Sequence, residues 1–257
     1  DWPSNERVGE FEETNYQATN LRKAFYNDRY KLLTLFPVAL ENQKIYKNAP
    51  FDVTESQLKN TFFNRWDSIK NNIVFNWVDV TDGRGKYGMA VFTDHTSSYA
   101  HGEDHPLGLT TLYSGQGLWG RDYKVTEATE MSYSLLPHEG TWDKANLEIE
   151  NERIAASLLV QFKNEKPEVW EHSFVQLMPE DWIISSCTFQ DNHMLLRVYN
   201  TDKEASKGSV KLNFSPKALT EVNLDGSPVE RSAVKMKAKA VDLELNPFGF
   251  KTLKISL

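Results

Sequence analysis

From Trp182 to the C-terminus the sequence breaks into short segments in which apolar and polar residues alternate, and this period of two restricts the fold more than any other feature. In VDLELN, Val241, Leu243 and Leu245 alternate with Asp242, Glu244 and Asn246. An antiparallel strand with one face on a core and the other in water requires that pattern. HMLLRVYN, GSVKLNFS, LTEVNL, AVKMKA and FKTLKISL follow suit, separated by turn material at Asn200-Thr201-Asp202, Lys207-Gly208 and Asp225-Gly226. Six strands in fewer than eighty residues predict an immunoglobulin-like sandwich.

Upstream the segments are more apolar. YKLLTLFPVAL (30–40) is an apolar run broken by Pro37, NNIVFNWVDV (71–80) is rich in β-branched and aromatic residues and ends at Asp82-Gly83, and YGMAVFTD is apolar on both faces. LGLTTLYSG and MSYSLLPH, the latter closed by Pro137, add further strands. Two stretches read as helical. NYQATNLRKAFYND carries a turn or two, and TWDKANLEIENERIAASLLVQF reads as a short helix, capped by Thr141, that gives way to a strand. No repeat of 20–50 residues is present. The expectation is an all-β chain in three parts: a linker or short helical lead-in over 1–28, a large β-sandwich over 29–178, and the small sandwich over 179–257.

Charge and cysteine usage narrow the partners. A net charge of −7 lacks the basic footprint of a nucleic-acid partner. No apolar run is long enough to span a bilayer, and the polar, acidic start resembles a linker rather than a secretion signal, so no membrane partner is expected. The single Cys187 excludes an intrachain disulfide and a thiolate metal cage. It suits the cytosol and is equally compatible with the periplasm.

Two stretches hold the residue types that could carry chemistry. FTDHTSSYAHGEDHPLG (92–108) contains His95, His101 and His105, three of the six histidines, beside Asp94, Glu103 and Asp104. Such a window can be a metal site, a loop that meets a sugar, or a polar turn. The donors suit zinc, but neither HExxH nor a paired-cysteine pattern is present. SGQGLWGRDY (114–123) sets Trp119, Arg121 and Tyr123 on a glycine-rich loop. An exposed Trp there can stack on a pyranose while Arg121 and Asp122 bond its hydroxyls; alternatively the ring folds back over the core. No GxSxG elbow or phosphate loop occurs, and 36 acids are too many to single out a glycosidase pair. His138, after a strand end, reads as a structural histidine hydrogen-bonded locally.

The order of several segments resembles the C-terminal β-rich region of the family 38 glycoside hydrolases, the α-mannosidases. RYKLLTLFPVAL, KNAPFDV (with Asp52 where glycine is usual), FNWVDVTDG, KYGMAVFTDHTSSY, MSYSLLPHEGTW, LLRVYNTDKEA and LNPFGFKTLKI carry the resemblance over residues 29–257. It implies a mutarotase-like supersandwich followed by a smaller sandwich. It also implies a zinc ion and a retaining aspartate nucleophile in an N-terminal barrel that these residues do not match. No catalytic residue and no metal ligand therefore carries over. Asp94, His95, His101, His105, Trp119, Arg121 and Tyr123 are candidates for lining the substrate mouth or an interface. The expected partners are that barrel and a mannose-containing glycan, with homo-oligomerisation left open. The chain alone is expected to be inactive toward mannosides. Two other readings are a self-standing carbohydrate-binding module and a domain that only docks another subunit.

Overall fold

The computed structural model describes residues 31–56, 69–102, 105–114, 125–156, 160, 162 and 172–257. Their regular structure is nearly all strand, arranged as four antiparallel sheets with one α-helix among the described residues. The chain divides into two compact units, Asp1–Ala145 and Asn146–Leu257. The sequence reading placed its boundary after residue 178. The strand Val175–Met178, however, pairs with Ser209–Leu212 of the second unit. Its alternation is too short to show which neighbour it serves.

The first unit contains β1 (Lys31–Phe36), β2 (Lys44–Ala49), β3 (Asp52–Ser56), β4 (Ile69–Val74), β5 (Trp77–Thr81), β6 (Tyr87–Thr93), β7 (Ser97–Gly102), β8 (His105–Tyr113) and β9 (Tyr133–Glu139). One sheet runs β1-β8-β7-β4 and the other β3-β2-β5-β6-β9. Phe36, Val74, Tyr99, Leu107 and Leu109 of the first sheet share a buried cluster with Ile45, Val78, Val80 and Val91 of the second. This is the sandwich core. All of β5 is buried, so its second face is covered too; there Trp142 lies 6.3 Å from Trp77 between ring centroids.

Two local features depart from the sequence reading, and a third shows how Asp52 is placed. The run 71–80 is not one strand: it breaks at Phe75-Asn76, so that β4 and β5 belong to different sheets. Pro137 does not close β9, which continues to Glu139; β9 is an edge strand among the described sheets, where proline costs no ladder bond. The β2–β3 hairpin turns at Pro50-Phe51, with Phe51 at φ 57°, while Asp52 already lies in β3 and accepts a hydrogen bond from its neighbour's N–H. Proline followed by a left-handed residue is the type II turn pattern.

The second unit holds α1 (Leu147–Ala155), β10 (Val175–Met178), β11 (Trp182–Gln190), β12 (His193–Asn200), β13 (Ser206–Leu212), β14 (Ala218–Val222), β15 (Met236–Lys237), β16 (Ala240–Leu245) and β17 (Phe250–Ser256). Sheets β10-β13-β16-β15 and β11-β12-β17-β14 enclose Leu196, Val198, Val210, Leu212, Val241, Leu243, Leu253 and Ile255. In β16 the expected alternation holds, with Val241, Leu243 and Leu245 buried. Lys207-Gly208 lies inside β13 rather than in a turn. A Cβ on Gly208 would come within 2.1 Å of the Met178 carbonyl oxygen, so the glycine serves a close approach within a strand.

Thr141 does not cap α1. Its carbonyl oxygen accepts the Ala145 N–H and its hydroxyl donates to Asp143, and the helix starts six residues later, behind a left-handed Asn146. The expected N-terminal helical turns fall outside the described residues, as does most of the strand expected after the helix.

Candidate functional site

The histidine-rich window is mostly strand. β6 ends at Thr93, whose N–H donates to the Asn76 carbonyl at 2.7 Å; Asp94–Thr96 then carries the chain across to the other sheet, where β7 begins. Asp94 is anchored on both carboxylate oxygens. Oδ2 accepts the Ser132 N–H at 2.8 Å, and Oδ1 lies 2.6 Å from His95 Nδ1. The Ser132 N–H, with the His95 ring, holds the Asp94 carboxyl below the usual carboxylate range. His95 is exposed.

His101 lies at the far end of β7 and is buried, its Nε2 2.9 Å from Gln43 Oε1. The Gln43 amide nitrogen donates to the carbonyls of Val38 and Leu40. Its oxygen is therefore the acceptor toward the ring, and His101 Nε2 carries the proton. Here the histidine fastens β7 to the loop before β2. His105 opens β8 in register with Gly102.

Asp94 and His95 lie before β7, and His101 and His105 at its far end, so the window forms two groups and not one cluster. Five residue steps along β7 separate its ends by about 17 Å, whereas zinc ligands sit about 2 Å from the ion, so His95 and His101 cannot share one. Among the described residues no three of His, Cys, Asp and Glu converge as metal donors.

Trp119, Arg121 and Tyr123 lie outside the described residues. The segment that carries them leaves from Ser114 and returns at Val125, and the Ser114 hydroxyl oxygen accepts the Val125 N–H at 3.0 Å, tying the two ends together.

A polar pair that the sequence reading did not connect lies on the second face of the five-stranded sheet. Asp79 on β5 is fully buried, and its Oδ1 is 2.9 Å from Nε2 of His138 on β9, whose side chain is 6% exposed. The other oxygen, Oδ2, accepts the Thr81 hydroxyl at 2.6 Å. β5 and β9 are not neighbours: β6 runs between them, with Gly88 directly opposite both Thr81 and His138. A Cβ on Gly88 would sit 2.4 Å from His138 Cε1. The imidazole thus passes over β6 where that strand has no side chain. Beyond the local contacts expected for it, His138 is tied to a residue 59 positions away. Tyr-Gly in KYGMAVF was the available signal, since it marks a strand glycine without a turn.

In the second unit a groove of about 710 Å³ is lined by Met178, Lys207, Ser209, Val234, Asp242 and Glu244 among others. Lys207 faces Glu244 at 3.6 Å and Lys237 faces Asp242 at 3.1 Å. Among the described residues no aromatic ring lines it, so they give it no stacking surface of the kind a sugar platform uses.

Residues 188–253 match the family model described as the glycosyl hydrolases family 38 C-terminal beta sandwich domain. Two solved structures share the fold. One is an alpha-mannosidase from Enterococcus faecalis V583, with a TM-score of 0.66, 16% identity, and coverage of 87% of this chain and 25% of that one. The other is a protein in glycosyl hydrolase family 38 from Enterococcus faecalis, with a TM-score of 0.64, 15% identity, and coverage of 87% and 26%. The chain thus spans about a quarter of the length of these structures. No protein of curated function matches it in sequence. The resemblance to the family 38 C-terminal β-region is borne out by the matched segment and by the shared fold.

Proposed function

We propose that this chain is the C-terminal β-sandwich region of a longer family 38 α-mannosidase. It supports the catalytic part and frames the mouth through which a mannose-containing glycan enters. The observation that carries the reading is the match of residues 188–253 to the family's C-terminal sandwich domain, with the wider likeness of fold as support. The reaction, retaining cleavage of an α-mannoside aided by zinc, belongs to a barrel that precedes this region in the enzyme.

The geometry of the first unit agrees with a supporting role. Both Asp94 oxygens help hold the link between β6 and β7, and buried His101 fastens β7 to the loop before β2. His95 and Asp94 are the exposed pair of the described candidates and stand open to contact with a glycan or with the barrel.

Hydrolysis of an aryl α-mannoside by the purified 257-residue chain, with and without added zinc, tests the proposal. No turnover is expected in either condition, and turnover would refute it. Titration with mannose oligosaccharides, followed by Trp fluorescence, separates this reading from a carbohydrate-binding module. Saturable quenching lost in Trp119→Ala would favour the module.

A further inference from the structure

We propose that His138 and Asp79 form a pH-operated latch that fastens edge strand β9 to β5 across the intervening β6, tight when the imidazole is protonated and loosened when it is not. Backbone ladders join only adjacent strands, and among the described sheets β9 has β6 as its one ladder neighbour. The imidazole adds a second attachment, two strands inward, through the gap that Gly88 leaves.

The surroundings make the charge state matter. Asp79 is 0% exposed, and a buried carboxylate without a counter-charge is costly. Its described polar contacts are the neutral Thr81 hydroxyl and the His138 ring. On the same face of the sheet, Lys44 of β2 lies opposite Thr81 and is exposed to solvent; the remaining titratable groups add negative charge or none. Tyr46 on β2 is Asp79's register partner, and Glu55 on β3 and Asp143 in the turn before α1 act on Tyr46 together with Asp79. Protonated His138 is thus the cation in hydrogen-bond contact with this carboxylate among the described residues. A neutral ring still donates one hydrogen bond from Nε2 but supplies no charge, so the latch weakens rather than opens.

The sign follows from the balance of effects on His138. Burial pulls its pKa down, the Asp79 carboxylate together with the backbone at Glu139 and Gly140 pulls it up, and the net shift is upward. A group whose folded pKa is raised contributes stability that is complete below the unfolded value, about 6.5, and lost as pH rises through the folded value. What is lost is the hold on β9, which carries Tyr133, whose ring stands 5.5 Å from Phe36.

Hydrogen exchange on the 257-residue chain between about pH 5 and about pH 9, corrected for intrinsic rates, tests this. Protection of the β9 amides is expected to fall on the order of tenfold for each unit by which the His138 pKa is raised, while the β2–β5 ladder holds. In His138→Gln, which can donate but not become charged, the β9 protection is expected to be flat with pH. A flat wild-type profile, or the same fall in His138→Gln, would overturn the proposal. Should that variant not fold, NMR titration of His138 in the wild-type chain decides. A midpoint above about 6.5 supports the latch, and one at or below it overturns the latch.

Discussion

The Asn48 side chain holds the backbone at Asn76: its Oδ1 accepts the N–H groups of Asn76 and Trp77 at 3.0 and 3.1 Å. At this point the chain leaves β4 in one sheet and enters β5 in the other, and the two N–H groups have no ladder partner while it crosses. Asn48→Ala would leave both buried donors unpaired. Each costs about 1–3 kcal/mol, so a loss of about 3 kcal/mol is expected in urea unfolding of the first unit.

Gly88→Ala is expected to be as damaging, although the glycine occupies ordinary strand conformation. The added methyl would come within 2.4 Å of His138 Cε1 and 2.6 Å of Nε2, so the ring must move and Asp79 loses its partner. Breaking a buried pair costs about 3–5 kcal/mol. Thermal unfolding gives the loss, and the His138 resonances should show the ring displaced.

Two glycines of the second unit separate space from backbone strain. Gly208→Ala meets the Met178 carbonyl at 2.1 Å and the Trp182 ring at 2.8 Å, which overpacks a fixed site and is expected to cost about 3 kcal/mol. Gly226 has nothing within 4 Å of a Cβ but sits at φ 82°, so alanine there is expected to cost about 1 kcal/mol. Denaturant midpoints of the two variants should fall in that order, and equal shifts would contradict the packing argument.

Asp94 should make its contribution on the acid side. Its pKa is depressed, so its stabilisation is present above the unfolded carboxylate value, about 3.9, and is lost as pH falls through the folded value. The side chain is 43% exposed, which keeps the effect under about 1 kcal/mol. Asp94→Asn is expected to unfold with a flatter dependence on pH below about 4. His95→Ala should change stability by no more than about 0.5 kcal/mol. Melts across that pH range check both.

How much of this was legible depended on where each strand's neighbours lie. β12 coincides with the segment HMLLRVYN, and β16 and β17 fall within a residue of theirs, because one wet face writes the period of two into the sequence. Within 71–80 the pattern is silent, since β5 is buried on both faces and reads as a continuation of β4. The break is imposed by Asn48, 28 residues earlier, which no local pattern can reveal. β7, in SSYAHG, was hidden by small and polar residues that read as a loop. The histidine window is two groups and not one, because β7 separates Asp94 and His95 from His101 and His105 where a loop could have gathered all of them. The Asp79–His138 tie was out of reach for a related reason: it depends on three strands lying in register, with a glycine on the middle one.

Pro137 has a consequence for how this molecule meets others. An outermost strand presents a row of donors and acceptors on which a foreign chain can extend the sheet. On β9 that row lacks a donor at Pro137 and carries the exposed acid Glu139 beside it. An incoming strand would forfeit a bond at the ring and approach a negative charge, so growth of the sheet by intermolecular pairing is discouraged along this margin.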